Sequence, residues 1–160
     1  MVRIRDLALK HRLFVRTYQW RTLDPVPVAD RPKPLADCRV ALVSSAGLVA
    51  PDDPPFDVEV KGGDWTWRTI ASDVDVRSLE EHHRSDAFDH SGIRTDRNMG
   101  LPLDRLHELA ERGIIGEVAP RHVSVMGSIT APARFQRDTV PEIVAALRGD
   151  HVDVALLVPV

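Results

Sequence analysis

The sequence predicts an α/β domain, with a mostly parallel sheet and flanking helices in Rossmann-like or flavodoxin-like layers, preceded by an N-terminal helical arm. Short β-branched runs at 38–43 (CRVALV), 123–127 (VSVMG) and 152–160 (VDVALLVPV) have the length and composition of buried strands. Helical patterns at 101–113 and 140–148 separate them. Strands that alternate with helices favour parallel pairing through right-handed crossovers.

The elements follow in chain order. Between Val2 and Trp20, the apolar residues Ile4, Leu7, Ala8, Leu13, Phe14 and Tyr18 fall loosely at helical spacing, with Trp20 as an anchor. Pro25, Pro27, Pro32 and Pro34 fix φ and remove backbone donors, so residues 1–34 read as arm plus linker and 35–160 as the α/β domain. The first strand, 38–43, runs into the turn SSAG at 44–47, and loops then lead to a second strand at Trp65–Ile70. In LPLDRLHELAERG (101–113), Leu103, Leu106 and Ala110 form a stripe, Glu108 and Arg112 an i,i+4 pair, and Gly113 the stop. After the strand at 123–127, Thr139 and Glu142 match a capping box that opens a helix ended by Gly149, with Ile143, Val144 and Leu147 inward. On the closing strand, Val152, Val154, Leu156 and Val158 share the face expected to meet that helix. Asp153, Ala155 and an uncovered Leu157 share the other.

Composition excludes several functions. A formal charge of -3 leaves no nucleic-acid footprint, and Asp6, Lys10, His11 and Arg12 interrupt any targeting segment. No run is long and apolar enough for a membrane span, so a cytoplasmic protein without a membrane partner is expected. Cys38 is the sole cysteine, so this chain contains no dithiol couple, and its place in a strand predicts a packing role. Neither GxGxxG nor GxxxxGK[ST] occurs, which leaves no nucleotide cofactor to predict.

The candidate site lies in residues 80–100, a polar stretch expected to form a loop and carrying His82, His83, Asp86, Asp89, His90 and Asp96. Imidazole and carboxylate side chains suit acid/base work, and they also suit zinc or iron. HHxxxxxDH lacks the spacing of HExxH, so no metal is assigned. A metal at His82, His83, Asp89 and His90 stays open as an alternative, as does a purely structural loop.

Several motifs in order carry a resemblance: SDVDVRSL (72–79), HHRSDAFDHS (82–91), TDRN (95–98), LPLDRLHELAERGIIGEVAP (101–120), VMG (125–127) and VDVALLVPV (152–160). Together they resemble the selenoprotein B family of the glycine, sarcosine, betaine and D-proline reductases, over most of residues 35–160. The resemblance implies reductive C–N cleavage of a small amine or amino acid, with other reductase subunits as partners and a dithiol as electron donor. It implies a reactive selenocysteine, or a cysteine in some relatives, immediately after a strand like LLVPV. Within it, His83, Asp89 and His90 are the catalytic candidates, and Ser45, Asp96, Asn98, Met126 and Gly127 the substrate-binding ones. The expectation is that this chain stops just before the reactive position, as when a UGA codon is read as stop, and is inactive alone. A non-catalytic binding or assembly module of the same fold is the alternative, and a homo-oligomer is left open.

Overall fold

The apolar run after Cys38 becomes the centre of the sheet. In the computed structural model, which describes residues 8–18, 22, 24–26, 28–31, 33–85 and 89–160, the chain forms two units, Met1–Asp30 and Arg31–Val160. The first contains α1 (Leu9–Thr17), on which Leu13 and Phe14 are exposed, with the Phe14 and Tyr18 rings 5.3 Å apart. Ile4, Leu7 and Trp20 of the expected arm lie outside the described residues, as does Asp86.

In the second unit, β1 (Arg39–Ser44) is followed by β2 (Leu48–Val49), β3 (Trp67–Ala71), β4 (Glu80–Glu81), α2 (Ser91–Thr95) and α3 (Leu103–Glu111). Then come β5 (Glu117–Val118), β6 (Arg121–Val125), α4 (Pro132–Arg134), α5 (Val140–Gly149) and β7 (Val154–Val158). One edge of β1 pairs in parallel with β7, from Val40↔Val154 to Ser44↔Val158. Its other edge pairs in parallel with β5 at the start and β6 at the end, and β3 closes that side antiparallel to β6. The sheet is therefore mostly parallel with flanking helices, as the sequence predicts.

The break between β5 and β6 has a chemical cause. Pro120 has no N–H for a ladder, and there the Leu42 amide donates instead to His122 Nδ1 at 3.0 Å. Alternation along β1 sends Val40 and Leu42 to a cluster with Leu103, Leu106 and Ile115, while Val43 joins Val123, Val125 and Ile143. Helices thus cover opposite faces of one sheet. Cys38 is fully buried in the first cluster.

Several local expectations are corrected. Thr139 does not cap a helix: the helical path already runs from Pro132 through a π-helical stretch, Phe135–Thr139, and the Thr139 hydroxyl donates to the Trp65 carbonyl. Glu142 instead accepts from Trp67 Nε1, and Val144 is exposed rather than inward. Glu108 pairs with Arg105 rather than Arg112. On β7, Val154 and Val158 pack on the cluster of Leu103 and Leu106, not against α5. Leu156 is 47% exposed and Leu157 67% exposed. Residues 80–100 are not one loop, because β4, α2 and a 3₁₀ turn at Arg97–Met99 occupy much of the stretch.

His122 carries a measurable consequence. Burial, helped by His107, pushes its pKa from 6.5 down to about 4. It is neutral in the fold and charged in the unfolded chain between those values, so the unfolded state binds more protons and stability falls as pH drops through that window. A shift of that size corresponds to about 3 kcal/mol. In His122→Asn, whose amide oxygen can still accept from Leu42, urea unfolding should lose much less stability between about pH 7 and 4 than in the unsubstituted chain. Identical pH profiles would contradict the assignment.

Candidate active site

The carboxyl ends of parallel strands leave backbone groups facing outward, and loops from several strands meet there. At the end of β1 the Ser44 hydroxyl donates to the Gly100 carbonyl at 2.5 Å and accepts from the Ala46 amide at 3.1 Å. Ser45 ties β1 to β7: its amide donates to the Val158 carbonyl at 3.1 Å, and its hydroxyl accepts from the Val160 amide at 2.9 Å. Beyond β6, Met126 bridges Ala46, and Gly127 follows.

The small antiparallel β2–β4 sheet delivers the imidazoles to this edge. The His82 amide donates to the Gly47 carbonyl at 2.9 Å. Gly47 has φ 65, and a Cβ on it would stand 3.0 Å from the His83 amide nitrogen, so glycine is needed for both conformation and close approach. Gly127 marks the point of convergence. A Cβ there would lie 2.6 Å from the Ser45 carbonyl, 2.9 Å from His83 Nε2 and 3.2 Å from the Val160 carbonyl. Ser45, His83, Gly127 and the end of β7 therefore surround one small space.

Behind His83 stands a polar cluster. The His83 and His90 rings are 6.0 Å apart, edge to face. His90 Nδ1 meets the carboxylate of Glu81, whose side chain is 5% exposed, and His90 Nε2 lies 3.0 Å from the Ser85 carbonyl. Arg94 Nε approaches the other Glu81 oxygen at 3.8 Å. The Glu81 hydrogen bond raises the His90 pKa above its ordinary value. Burial, and secondarily the charge of His90, lowers that of His83. The edge thus offers a His83 ring shifted towards its neutral form, backed by a His90 ring shifted towards its cationic form, an arrangement suited to hydrogen bonding with a group at Gly127.

The remaining candidates sit elsewhere. Asp89 is exposed and accepts from the Ser91 amide at 3.0 Å, which lowers its pKa. Asp96 accepts from the Asn98 amide at 2.9 Å, and Asn98 brackets the start of α3 through the Asp104 carboxylate (2.8 Å) and amide (3.1 Å). Asp96 and Asn98 line a separate cleft of about 280 Å³ with Arg77 and Arg94. Met126 is fully buried with Val49 and Phe56, so its side chain packs rather than faces the edge. His82 pairs with Glu80 at 3.4 Å. Among the described residues, no group of three or more His, Cys, Asp and Glu side chains is arranged to hold a metal ion. Among them, no helix is long and apolar enough to cross a membrane. Sequence reasoning missed Glu81 and Ser85; for Glu81, the run of two acids followed by two imidazoles in EEHH was the available signal.

Residues 5–159 match the family described as glycine/sarcosine/betaine reductase selenoprotein B. The chain is 33% identical over 125 residues to the D-proline reductase subunit gamma of Acetoanaerobium sticklandii, covering 78% of this chain and 50% of that protein. It is 27% identical over 150 residues to the glycine reductase complex component B subunit gamma of Symbiobacterium thermophilum, covering 93% of this chain and 34% of that one. It is also 29% identical over 125 residues to the sarcosine reductase complex component B subunit beta of Peptoclostridium acidaminophilum, covering 71% and 27%. The chain spans half or less of the length of these relatives. No solved structure matches it.

Proposed function

The chain belongs to the glycine/sarcosine/betaine reductase selenoprotein B family, and from that premise we propose that it forms part of a reductase subunit. The reaction is reductive C–N cleavage of glycine, sarcosine, betaine or D-proline, with a dithiol as electron donor and other reductase subunits as partners. The observation that carries this reading is the meeting of Ser45, His83 and Gly127 at the end of β7. In a longer protein of the length of these relatives, a selenol or thiol placed after LLVPV would supply the soft nucleophile that attacks the substrate and is later released by thiol exchange. The residues of this chain prepare that event. Gly127 leaves room at the edge, Ser45 fixes the backbone of Val160, and His83 Nε2–H donates a hydrogen bond to the departing nitrogen, which takes its proton from water. Two electrons then come from the dithiol, which ends as a disulfide.

The test is turnover. The longer protein, assembled with its partner subunits and supplied with a dithiol, should cleave at least one of the four substrates. A serine in place of the selenol or thiol after Val160 should abolish that turnover, while Cys38→Ala, at a buried packing position, should retain it. Equal turnover with serine, or none with any substrate, would overturn the reading.

A further inference from the structure

We infer that Glu81 and His90 are positioning residues that hold His83 as its neutral Nε2–H tautomer, so that the sheet edge receives a hydrogen-bond donor of fixed direction. The inference rests on the reading of that edge as the reductase site, and it concerns how the proton is kept in place.

The argument is one of donors and acceptors. His90 Nδ1 faces the Glu81 carboxylate, and His90 Nε2 lies 3.0 Å from the Ser85 carbonyl. A carboxylate and a carbonyl only accept, so both ring nitrogens of His90 donate and the ring is an imidazolium. The Ser85 amide lies 3.2 Å from His83 Nδ1. An amide N–H only donates, so His83 Nδ1 keeps its lone pair and the proton resides on Nε2, the atom beside Gly127. Protonating His83 would set two donors against each other. Ser85 is the joint, its carbonyl held by His90 and its amide holding His83.

Charge supports the same arrangement. From β4, Glu81 faces both rings and neutralises His90. From α2, Arg94 shares the Glu81 carboxylate at 3.8 Å, and Asp89 adjoins His90 in the chain. His90 in turn opposes a second positive charge on His83. Removing the charge of Glu81 should therefore release His90 from its cationic state and free Ser85 to turn.

Nitrogen NMR of the 160-residue chain labelled at its histidines reads this directly. Near pH 7 the unsubstituted chain should show both His90 nitrogens protonated and His83 protonated at Nε2 alone. In Glu81→Gln, the His90 titration midpoint should fall by about one pH unit or more, and His83 should become a mixture of tautomers. A His83 protonated at Nδ1, or a neutral His90 in the unsubstituted chain, would overturn the inference, and this spectrum decides even if the variant does not fold. An unchanged His90 midpoint in Glu81→Gln would also overturn it. In the longer protein, Glu81→Gln should move the pH profile of kcat/KM. If the expected spectra came with an unchanged profile, the tautomer would stand and the role of His83 in turnover would fall.

Discussion

In the longer protein, His83→Ala should lower kcat/KM by about 100- to 1,000-fold, the range for removing a hydrogen-bond donor to developing charge. Alanine offers no N–H near Gly127, so the hydrogen bond is lost with the ring. KM should change little, because the side chain acts on a departing group rather than on substrate binding. His83 is half-buried and outside the main apolar clusters, so thermal unfolding should shift only slightly. A variant within about threefold of the unsubstituted rate, measured with the same partner subunits and dithiol, would contradict the role given to His83.

Gly127→Ala should have a comparable effect by a different route. The added carbon would stand 2.6 Å from the Ser45 carbonyl, a backbone atom that cannot yield without moving β1, and 2.9 Å from His83 Nε2. Relief requires His83 to turn away, and a displacement of about 1 Å at a reacting group can cost about 100-fold in rate. Overpacking should also cost about 1–3 kcal/mol of stability. Steady-state rates beside urea unfolding separate the two effects. Near-normal turnover would show that the space at Gly127 is not where the chemistry occurs.

The parts of the fold that were legible in the sequence are those where one residue pattern decides the outcome. CRVALV and VALLV are short, largely apolar runs rich in β-branched residues, and LDRLHELA repeats at helical spacing, so the strands followed from length and composition and the helix from period. Errors arose where tertiary contacts outweighed a local signal. Thr139 has the form of a cap, but the Trp65 carbonyl takes its hydroxyl, and Trp67 takes Glu142. The facing of β7 depended on which helix lies on which side, and alternation within one strand does not say.

The candidate site divides in the same way. His83, Ser45 and Gly127 came from motifs far apart in the chain, and the parallel sheet brings them together at its carboxyl edge. Asp89, Asp96 and Asn98 belong to the same motifs, yet their side chains are engaged in local backbone turns, a use that short polar residues serve as readily as catalysis. Glu81 was hidden because an acid in a charged run ordinarily reads as solvated. Its burial depends on β4 pairing with β2, which spacing does not reveal.

The central claim is spatial, and a structure of the longer protein tests it most directly. The distance to measure runs from the reactive selenium or sulfur to His83 Nε2. The account predicts a separation of about 3–4 Å, with Gly127 and Ser45 beside the reactive atom, close enough for a direct or water-bridged hydrogen bond. A separation beyond about 10 Å, with another element carrying the hydrogen-bond donor, would contradict it.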